Sequence, residues 1–394
     1  MPPGVNDVLL NSSALPTRCY NLVWNEWFRD ENLQDSVVYS TADGPDVTTP
    51  ASLLKRGKRH DYFTSCLPWP QKGDAVSLPL GTEAPVTTDA ADNTVLGVYS
   101  SVAGGFRPMD IPATQLALNT GGSIGTDGDL YADLSGATAA TINDLRLAFQ
   151  TQRLLERDAR SGTRYNEMIL AHFGVTVPDF RVQRPEFLGG GSSVINITPV
   201  AQTTYQGTAT AQDAKGALAG FGTVSGSHGF TKSFTEHGLL LGLANVRGDI
   251  TYQQGQERYW AKETRYDFYY PVLAQIGEQA VLTKEIYLDS NAAGTNDDVF
   301  GYQERYAEYR YKPSRLSGLM RSAASGTLDP WHLSEEFGSA PTLNASFIES
   351  NTGTPLDRAI AVSTEPHFIA DFYFDMKCAR PMPLYGVPGN LDHF

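Results

Sequence analysis

The sequence predicts a mainly β protein, folded as an antiparallel sandwich or barrel with a few helices. Its 394 residues include 37 glycines and 23 prolines, many of them lying between short apolar segments as turns between strands do. Hydrophobic residues make up 41% of the chain and charged residues 19%, a balance that suits a large core and argues against bulk disorder. Residues 368–377 give the clearest strand, because large apolar side chains recur there at every second position.

Three segments predict helices. Residues 20–35 combine apolar and charged side chains at helical spacing. Thr141 and Asp144 form a capping pattern at the start of a second helix, whose apolar side chains recur along one face. A third helix is expected at Tyr165–Phe173, with Gly174 at its end. Further short strands flanked by turn residues are predicted at residues 75–80, 194–198, 238–245, 249–254, 281–288 and 359–362.

Residues 81–128 differ from the rest of the chain in composition. They are rich in Gly, Thr, Ala and Asp, nearly free of positive charge, and poor in large apolar side chains. A loop of this length inside a compact domain is either functional or disordered. We therefore expect an exposed insertion at 81–128, and a core domain formed by residues 1–80 and 129–394.

A dense basic cluster stands out in this acidic chain, which has a net charge of -14 and a pI near 4.9. Such a cluster needs either a polyanion or carboxylate-rich neighbours. One interpretation is a solvated loop whose charges pair with acidic residues such as Asp61. The other is contact with the phosphates of single-stranded DNA, with Tyr62 or Phe63 stacking on bases. The candidate DNA-contact residues are Lys55, Arg56, Lys58 and Arg59.

Two segments rich in tyrosine and arginine, residues 247–271 and 302–315, predict subunit contacts, because these residue types dominate interface hot spots. Internal packing with charges that pair among themselves is the alternative. The candidate interface residues are Arg247, Tyr252, Tyr259, Trp260, Tyr302, Arg305, Tyr306, Tyr309 and Arg310.

The sequence predicts no catalytic, metal or cofactor site. It contains no H-E-x-x-H motif of the kind that binds zinc in metalloproteases. Its three cysteines show no C-x-x-C spacing and are expected to stay reduced. The start of the chain lacks a signal-peptide pattern, and no run reaches the ~20 apolar residues of a membrane helix. We therefore expect a soluble, non-enzymatic protein without membrane insertion.

Several motifs carry a family resemblance. They include WNEWFRDENLQDS, KRGKRHDYFTSCLPWPQKG, HGFTKSFTEHGLLLGLANVR, DVFGYQERYAEYRYKPSR, EPHFIADFYFDMKCARPMP and YGVPGNLDHF. Together they closely resemble the major capsid proteins of small icosahedral single-stranded DNA phages of the gokushovirus type (Microviridae). The resemblance covers residues 19–394 and is weakest over 82–128.

The resemblance implies an eight-stranded antiparallel viral jelly roll with long loop insertions. Copies would form a T=1 icosahedral shell around circular single-stranded DNA, in a virion whose proteins are made in the cytoplasm of a bacterial host. Residues 81–128 would project at threefold axes, with a host surface receptor as a candidate partner. The other implied partners are identical subunits, packaged DNA and a small basic viral DNA-binding protein, which agrees with the acidity of this chain.

One departure from the family concerns the start of the chain. Members carry a long segment upstream of the WNEWF motif, and this segment supplies the first barrel strands. Here little precedes the motif, so we expect a partial sequence and an incomplete jelly roll that is poorly soluble when expressed alone.

Two other classes of protein remain open from the residues. Abundant aromatic side chains on an acidic protein also suit a carbohydrate-binding or carbohydrate-active β-sandwich. A phage spike protein, which would form closed trimers, is the other alternative.

Overall fold

The computed structural model describes most of the chain, in two compact units. The described residues are 12–77, 86–88, 97–100, 105–110, 117–118, 130–132, 141–201, 203, 218–290, 295–326, 328–349, 355–360 and 366–380. The larger unit comprises residues 1–245, 254–313 and 337–350. The smaller unit comprises residues 246–253, 314–336 and 351–394.

All strand pairing within the described residues is antiparallel. The strands are β1 (Val86–Thr88), β2 (Gly97–Ser100), β3 (Gly105–Asp110), β4 (Ala117–Leu118), β5 (Leu130–Ala132), β6 (Asn196–Ala201), β7 (Leu218–Thr223), β8 (Glu278–Leu282) and β9 (Val299–Glu304). β1 pairs with β5, β3 with both β2 and β4, β6 with β7, and β8 with β9. These short antiparallel sheets are compatible with the predicted mainly β class.

The predicted insertion contains paired strands rather than a plain loop. Strands β1 to β4 all fall within residues 81–128. The β1–β5 ladder sets Val86 opposite Ala132 and Thr88 opposite Leu130. It thereby brings the two ends of the segment side by side.

The helices largely follow the sequence pattern. They are α1 (Leu15–Val23), which continues into a π-helical turn (Trp24–Phe28), α2 (Ile142–Ser161), α3 (Tyr165–Phe173), α4 (Thr283–Ile286), α5 (Ala345–Ile348) and α6 (Pro355–Ala359). The capping pattern before α2 is confirmed: the N–H of Asp144 donates to Thr141 Oγ1 at 3.1 Å, and the N–H of Thr141 donates to the Asp144 carboxylate at 3.0 Å. Gly174 ends α3 in the left-handed conformation, as predicted. The first predicted helix begins earlier than expected and ends at Phe28.

Several predicted strands are wrong. Residues 238–245 and 368–377 form no strand, and 249–254 makes only isolated bridges. The predicted strand 281–288 does not continue, because β8 ends at Leu282 and α4 begins at Thr283. The predicted strand 359–362 is wrong at its start, because Ala359 lies in α6. The segment 75–77 is not in a strand, and the rest of 75–80 lies outside the described residues. The reason is that alternation defines two faces but supplies no partner ladder, and a strand exists only when it is paired.

Aromatic rings build the core of the larger unit. Phe63 is fully buried and meets Phe300 edge-on at 6.2 Å between ring centroids, and Phe300 meets Phe347 at 5.2 Å. Gly301 follows Phe300 in β9, where a Cβ atom would stand 2.8 Å from Cys66 Cβ. A residue without a side chain is therefore required for this close approach.

A buried carboxylate joins three separate segments of this core. Glu285, in α4, is 2% exposed. It accepts hydrogen bonds from Tyr62 Oη at 2.9 Å, from Arg258 Nη1 at 2.7 Å and from the N–H of Leu282 at 3.0 Å. Burial raises the pKa of Glu285 because the charged form loses its water, and the positive charge of Arg258 opposes this shift. We call these side chains, Tyr62, Arg258 and Glu285, the buried triad.

None of the helices in the described part of the chain combines the length and apolar composition needed to cross a membrane.

Removing the carboxylate charge of Glu285 from the buried triad should strongly destabilise the larger unit. We expect Glu285→Gln to lower the free energy of unfolding by about 3 kcal/mol, because Arg258 would keep a half-buried charge without its counter-ion. The measurement is urea denaturation followed by circular dichroism. The matched control is Glu304→Gln, whose ion pair with Arg310 lies at the surface and should cost less than about 1 kcal/mol. Equal losses in the two variants would contradict the role of the triad.

Candidate functional site

The two segments predicted as subunit contacts meet in the larger unit. Tyr269 packs edge-on against Tyr306 at 5.2 Å and against Tyr309 at 6.3 Å, and Tyr306 meets Tyr309 at 6.0 Å. Edge-on geometry is the favoured arrangement of aromatic pairs. Around these contacts lies an exposed set that we call the aromatic surface: Tyr259, Trp260, Tyr266, Phe268, Tyr269, Tyr270, Tyr309 and Tyr311.

Tyr306 anchors this surface from inside. Its backbone is left-handed, with φ of 63°, an unfavourable conformation for a residue with a side chain. Two hydrogen bonds hold it there: its N–H donates to Gln279 Oε1 at 3.1 Å, and its hydroxyl donates to the carbonyl of Tyr266 at 3.3 Å. The turn aims Tyr306 inward and leaves Tyr309, three residues later, 46% exposed.

Lys262 ties the rings of the aromatic surface to a buried acid. Its ammonium donates to Tyr309 Oη at 2.6 Å and lies 3.6 Å from the Glu308 carboxylate. It also lies 4.1 Å from the ring centroid of Tyr309 and 5.0 Å from that of Phe268. The Lys262 and Glu308 side chains are only 3% and 9% exposed, so this ion pair is shielded from water.

The nine predicted interface residues divide by exposure. Those exposed are Arg247, Tyr259, Trp260, Tyr309 and Arg310, those half-buried are Tyr302 and Arg305, and those buried are Tyr252 and Tyr306. Tyr252 lies in the smaller unit, where its N–H donates to the carbonyl of Ser314 at 3.0 Å. Buried side chains offer no surface to another molecule, so Tyr252 and Tyr306 serve packing within the subunit.

Sequence reasoning did not single out Lys262 or Tyr269. Both lie inside the segment 247–271, whose tyrosine-rich composition predicted a subunit contact for the segment as a whole but not for these two residues. Their roles depend on contacts with residues 306–309, which no local pattern reveals.

The basic cluster lies on a backbone fixed by three contacts. The indole N–H of Trp24 donates to the carbonyl of Lys55 at 3.1 Å, and the N–H of Lys58 donates to the carbonyl of Ile348 at 2.9 Å. Gly57 pairs with Glu349 in an antiparallel bridge. Lys55, Arg56 and Arg59 are exposed, while Lys58 is half-buried.

Two cations of the cluster lie over aromatic rings. The guanidinium of Arg56 is 5.3 Å from the ring centroid of Phe28, and the Lys58 ammonium is 4.7 Å from that of Phe347. These contacts orient the charges while leaving them near the surface. The predicted stacking of Tyr62 or Phe63 on bases is wrong, since the two rings are 4% and 0% exposed and pack in the core.

The described residues show no group of three or more His, Cys, Asp or Glu that could hold a metal ion. Cys66 is buried, and burial raises the pKa of its thiol well above the ordinary value. Its thiolate, the reactive form, is therefore suppressed at neutral pH.

Comparisons with known proteins place the chain among phage capsid proteins. The family model described as capsid protein (F protein) matches residues 1–390. The chain is 47% identical to capsid protein VP1 of Bdellovibrio phage phiMH2K, over 98% of this chain and 74% of that protein. It is 41% identical to capsid protein VP1 of Chlamydia phage 1, over 95% of this chain and 74% of that protein. Identity to capsid protein VP1 of Spiroplasma virus 4 is 36%, over 95% of this chain and 73% of that protein.

Lys262 should be needed to hold the aromatic surface together. We expect Lys262→Met to lower the free energy of unfolding by about 3 kcal/mol, because the shielded Glu308 carboxylate would lose its counter-ion. Lys312→Met is the matched control: its ion pair with Glu257 is largely exposed, and its loss should cost less than about 1 kcal/mol. Urea denaturation of the three proteins makes the comparison. A Lys262→Met protein as stable as the control would overturn this role.

Proposed function

Since the chain belongs to the phage capsid protein (F protein) family, we propose that its copies close into a T=1 icosahedral shell around circular single-stranded DNA. The chain is a structural major capsid protein of the gokushovirus type and a component of the virion. Its work in this proposal is self-association, and it has no catalytic role.

The aromatic surface is the observation that supports self-association. Trp260 is 72% exposed, and Tyr259 and Tyr269 are 52% and 54% exposed. Exposed large aromatic side chains are typical of interaction sites, and Trp, Tyr and Arg are the residue types that contribute most binding energy. A neighbouring subunit would remove these rings from water. The exposed members of the predicted interface in the larger unit, Tyr259, Trp260, Tyr309 and Arg310, are our proposed contacts there, and Arg247 is a separate proposed contact of the smaller unit.

The finer architecture is also a proposal. We propose that residues 1–80 and 129–394 belong to an eight-stranded jelly roll, with residues 81–128 as an insertion that projects at threefold axes and contacts a host receptor. The antiparallel pairing of the strands β1 to β9 supports the first part. The β1–β5 ladder supports the second, because a segment whose ends lie together can be inserted without displacing its neighbours.

We propose that the basic cluster contacts the packaged DNA. Lys55, Arg56, Lys58 and Arg59 bring four positive charges within five residues. The chain as a whole carries a net charge of -14, so most of the phosphate charge must be neutralised elsewhere. A small basic viral DNA-binding protein is the proposed source.

The two alternative classes, a carbohydrate-binding or carbohydrate-active β-sandwich and a phage spike protein, are not favoured. Identities of 41–47% over nearly the whole chain are to capsid proteins. Negative-stain microscopy of the assembled protein separates the classes: capsid subunits give shells, and a spike protein gives closed trimers. A carbohydrate-active protein would stay monomeric and hydrolyse sugars.

Truncating the exposed rings should weaken assembly without unfolding the subunit. Tyr259 and Trp260 contact each other at 5.1 Å and face solvent. We expect Tyr259→Ala with Trp260→Ala to weaken subunit association by about tenfold or more, as loss of hot-spot residues does. Sedimentation and microscopy measure the shells, and urea denaturation checks the fold.

The control for this variant is Tyr259→Phe with Trp260→Phe, which keeps two aromatic rings and should assemble normally. Normal assembly of the alanine variant would show that these rings lie outside subunit contacts.

Replacing Lys55, Arg56, Lys58 and Arg59 by Ala should reduce the salt dependence of DNA binding. The slope of log K against log salt is negative, and each lost phosphate contact should reduce its magnitude by about 0.7. Filter binding of single-stranded DNA across a salt series measures this slope. Arg56→Lys with Arg59→Lys keeps the charges and should keep the slope, whereas an unchanged slope in the alanine variant would contradict DNA contact.

A further inference from the structure

A row of arginines follows one side of α2 in the larger unit. At about 100° per residue, four arginines fall within an arc of roughly 60°, over a length of ~21 Å. All four side chains are exposed. We call this set the arginine row: Arg146, Arg153, Arg157 and Arg160.

One member of the row has a counter-ion. Arg160 Nε pairs with the carboxylate of Glu278, which is 1% exposed. For Arg146, Arg153 and Arg157 the described residues supply neither an ion pair nor a side-chain hydrogen bond. The start of α2 is fixed by the capping box of Thr141 and Asp144, at the end of the helix away from most of the row.

The row borders a cavity beside α2. This cavity is a shallow depression open to solvent, has a volume of about 350 Å³ and is lined by Arg153, Glu156, Arg157, Arg160, Ser161 and Ala171. Three of its six lining residues are arginines, of which Arg160 is paired with Glu278, and one, Glu156, is acidic. The lining therefore keeps a small excess of positive charge, which favours a negatively charged group. Guanidinium groups bind carboxylates in paired hydrogen bonds, which gives such a cavity geometric selectivity.

Apolar side chains accompany the arginines on the exposed helix. Ile142 is 70% exposed and Phe149 60%, and both lie on the same side as the row. Leu147 is 67% exposed and Leu154 50%, beside it. Exposed aliphatic groups mixed with arginine are typical of a surface that another protein covers.

We propose that the arginine row of α2 docks onto carboxylates of a second copy of this chain. Charge complementarity identifies the occupant: each copy has 44 acidic and 30 basic residues, so its neighbours present an excess of carboxylates. Nucleic acid would satisfy the arginines but would leave Ile142, Leu147 and Leu154 in water. This inference rests on the proposed self-association and assigns part of it to α2.

The test reverses the charges that lack a counter-ion in the described structure. Three variants change Arg146, Arg153 and Arg157 together, to Glu, to Gln or to Lys. All three replacements are good helix formers, so circular dichroism should show an intact α2. We expect the yield of shells from the Glu variant to fall by about tenfold or more, because like charges would then face each other. The yield from the Gln variant should fall less, because it removes the positive charges without adding negative ones. The Lys variant should assemble, and rising salt should weaken assembly of the wild type.

Shells are counted by microscopy and sedimentation after nuclease treatment, and DNA content is measured separately. Normal assembly of both the Glu and Gln variants would overturn the inference while leaving the proposed capsid function intact. Shells that form normally but contain less DNA would assign the row to nucleic acid and also overturn it. If the wild type itself forms no shells, the proposed function fails and the inference fails with it.

Discussion

The larger unit depends on a charge that is buried and must stay paired. Glu285 accepts hydrogen bonds from Tyr62 and Arg258, which reach it from distant parts of the chain. The backbone passes so close here that a Cβ atom on Gly255 would stand 2.0 Å from the carbonyl oxygen of Glu285. Because a buried carboxylate without partners is very costly, the three segments can fold only together. Arg258 also begins the 3₁₀ turn that carries Trp260, so the triad fixes the base of the aromatic surface.

Tyrosine and arginine serve two purposes in this subunit, and burial decides between them. Tyr306 and Tyr309 are three residues apart, yet the first is 4% exposed and the second 46%. The left-handed turn at Tyr306 causes the difference, because it directs one ring into the core and leaves the other outside. The same residue types that predict an interface therefore also build the support beneath it. A shell protein needs both, since a contact surface binds well only when its own subunit holds it rigid.

Positive charge is placed at two separate surfaces of an acidic chain. The basic cluster rests on the rings of Phe28 and Phe347, next to the core. The arginine row of α2 stands beside a cavity and among exposed aliphatic side chains. The surroundings suggest different partners, because phosphates need only accessible charge, whereas apolar groups need a protein surface to cover them. The two proposals can thus be tested independently on one protein.

Local sequence determined the features that depend on neighbours along the chain. The capping box of α2, the glycine that ends α3 and the tyrosine-rich segments could all be read from the residues, and the family motifs indicated a capsid protein. The tertiary structure decided which of those residues meet. It paired β1, inside the predicted loop, with β5 just after it, left 368–377 without a strand, and buried Tyr252 and Phe63. The physical reason is that caps and turns form within a few residues, whereas ladders and buried ion pairs need partners that only the folded chain brings together.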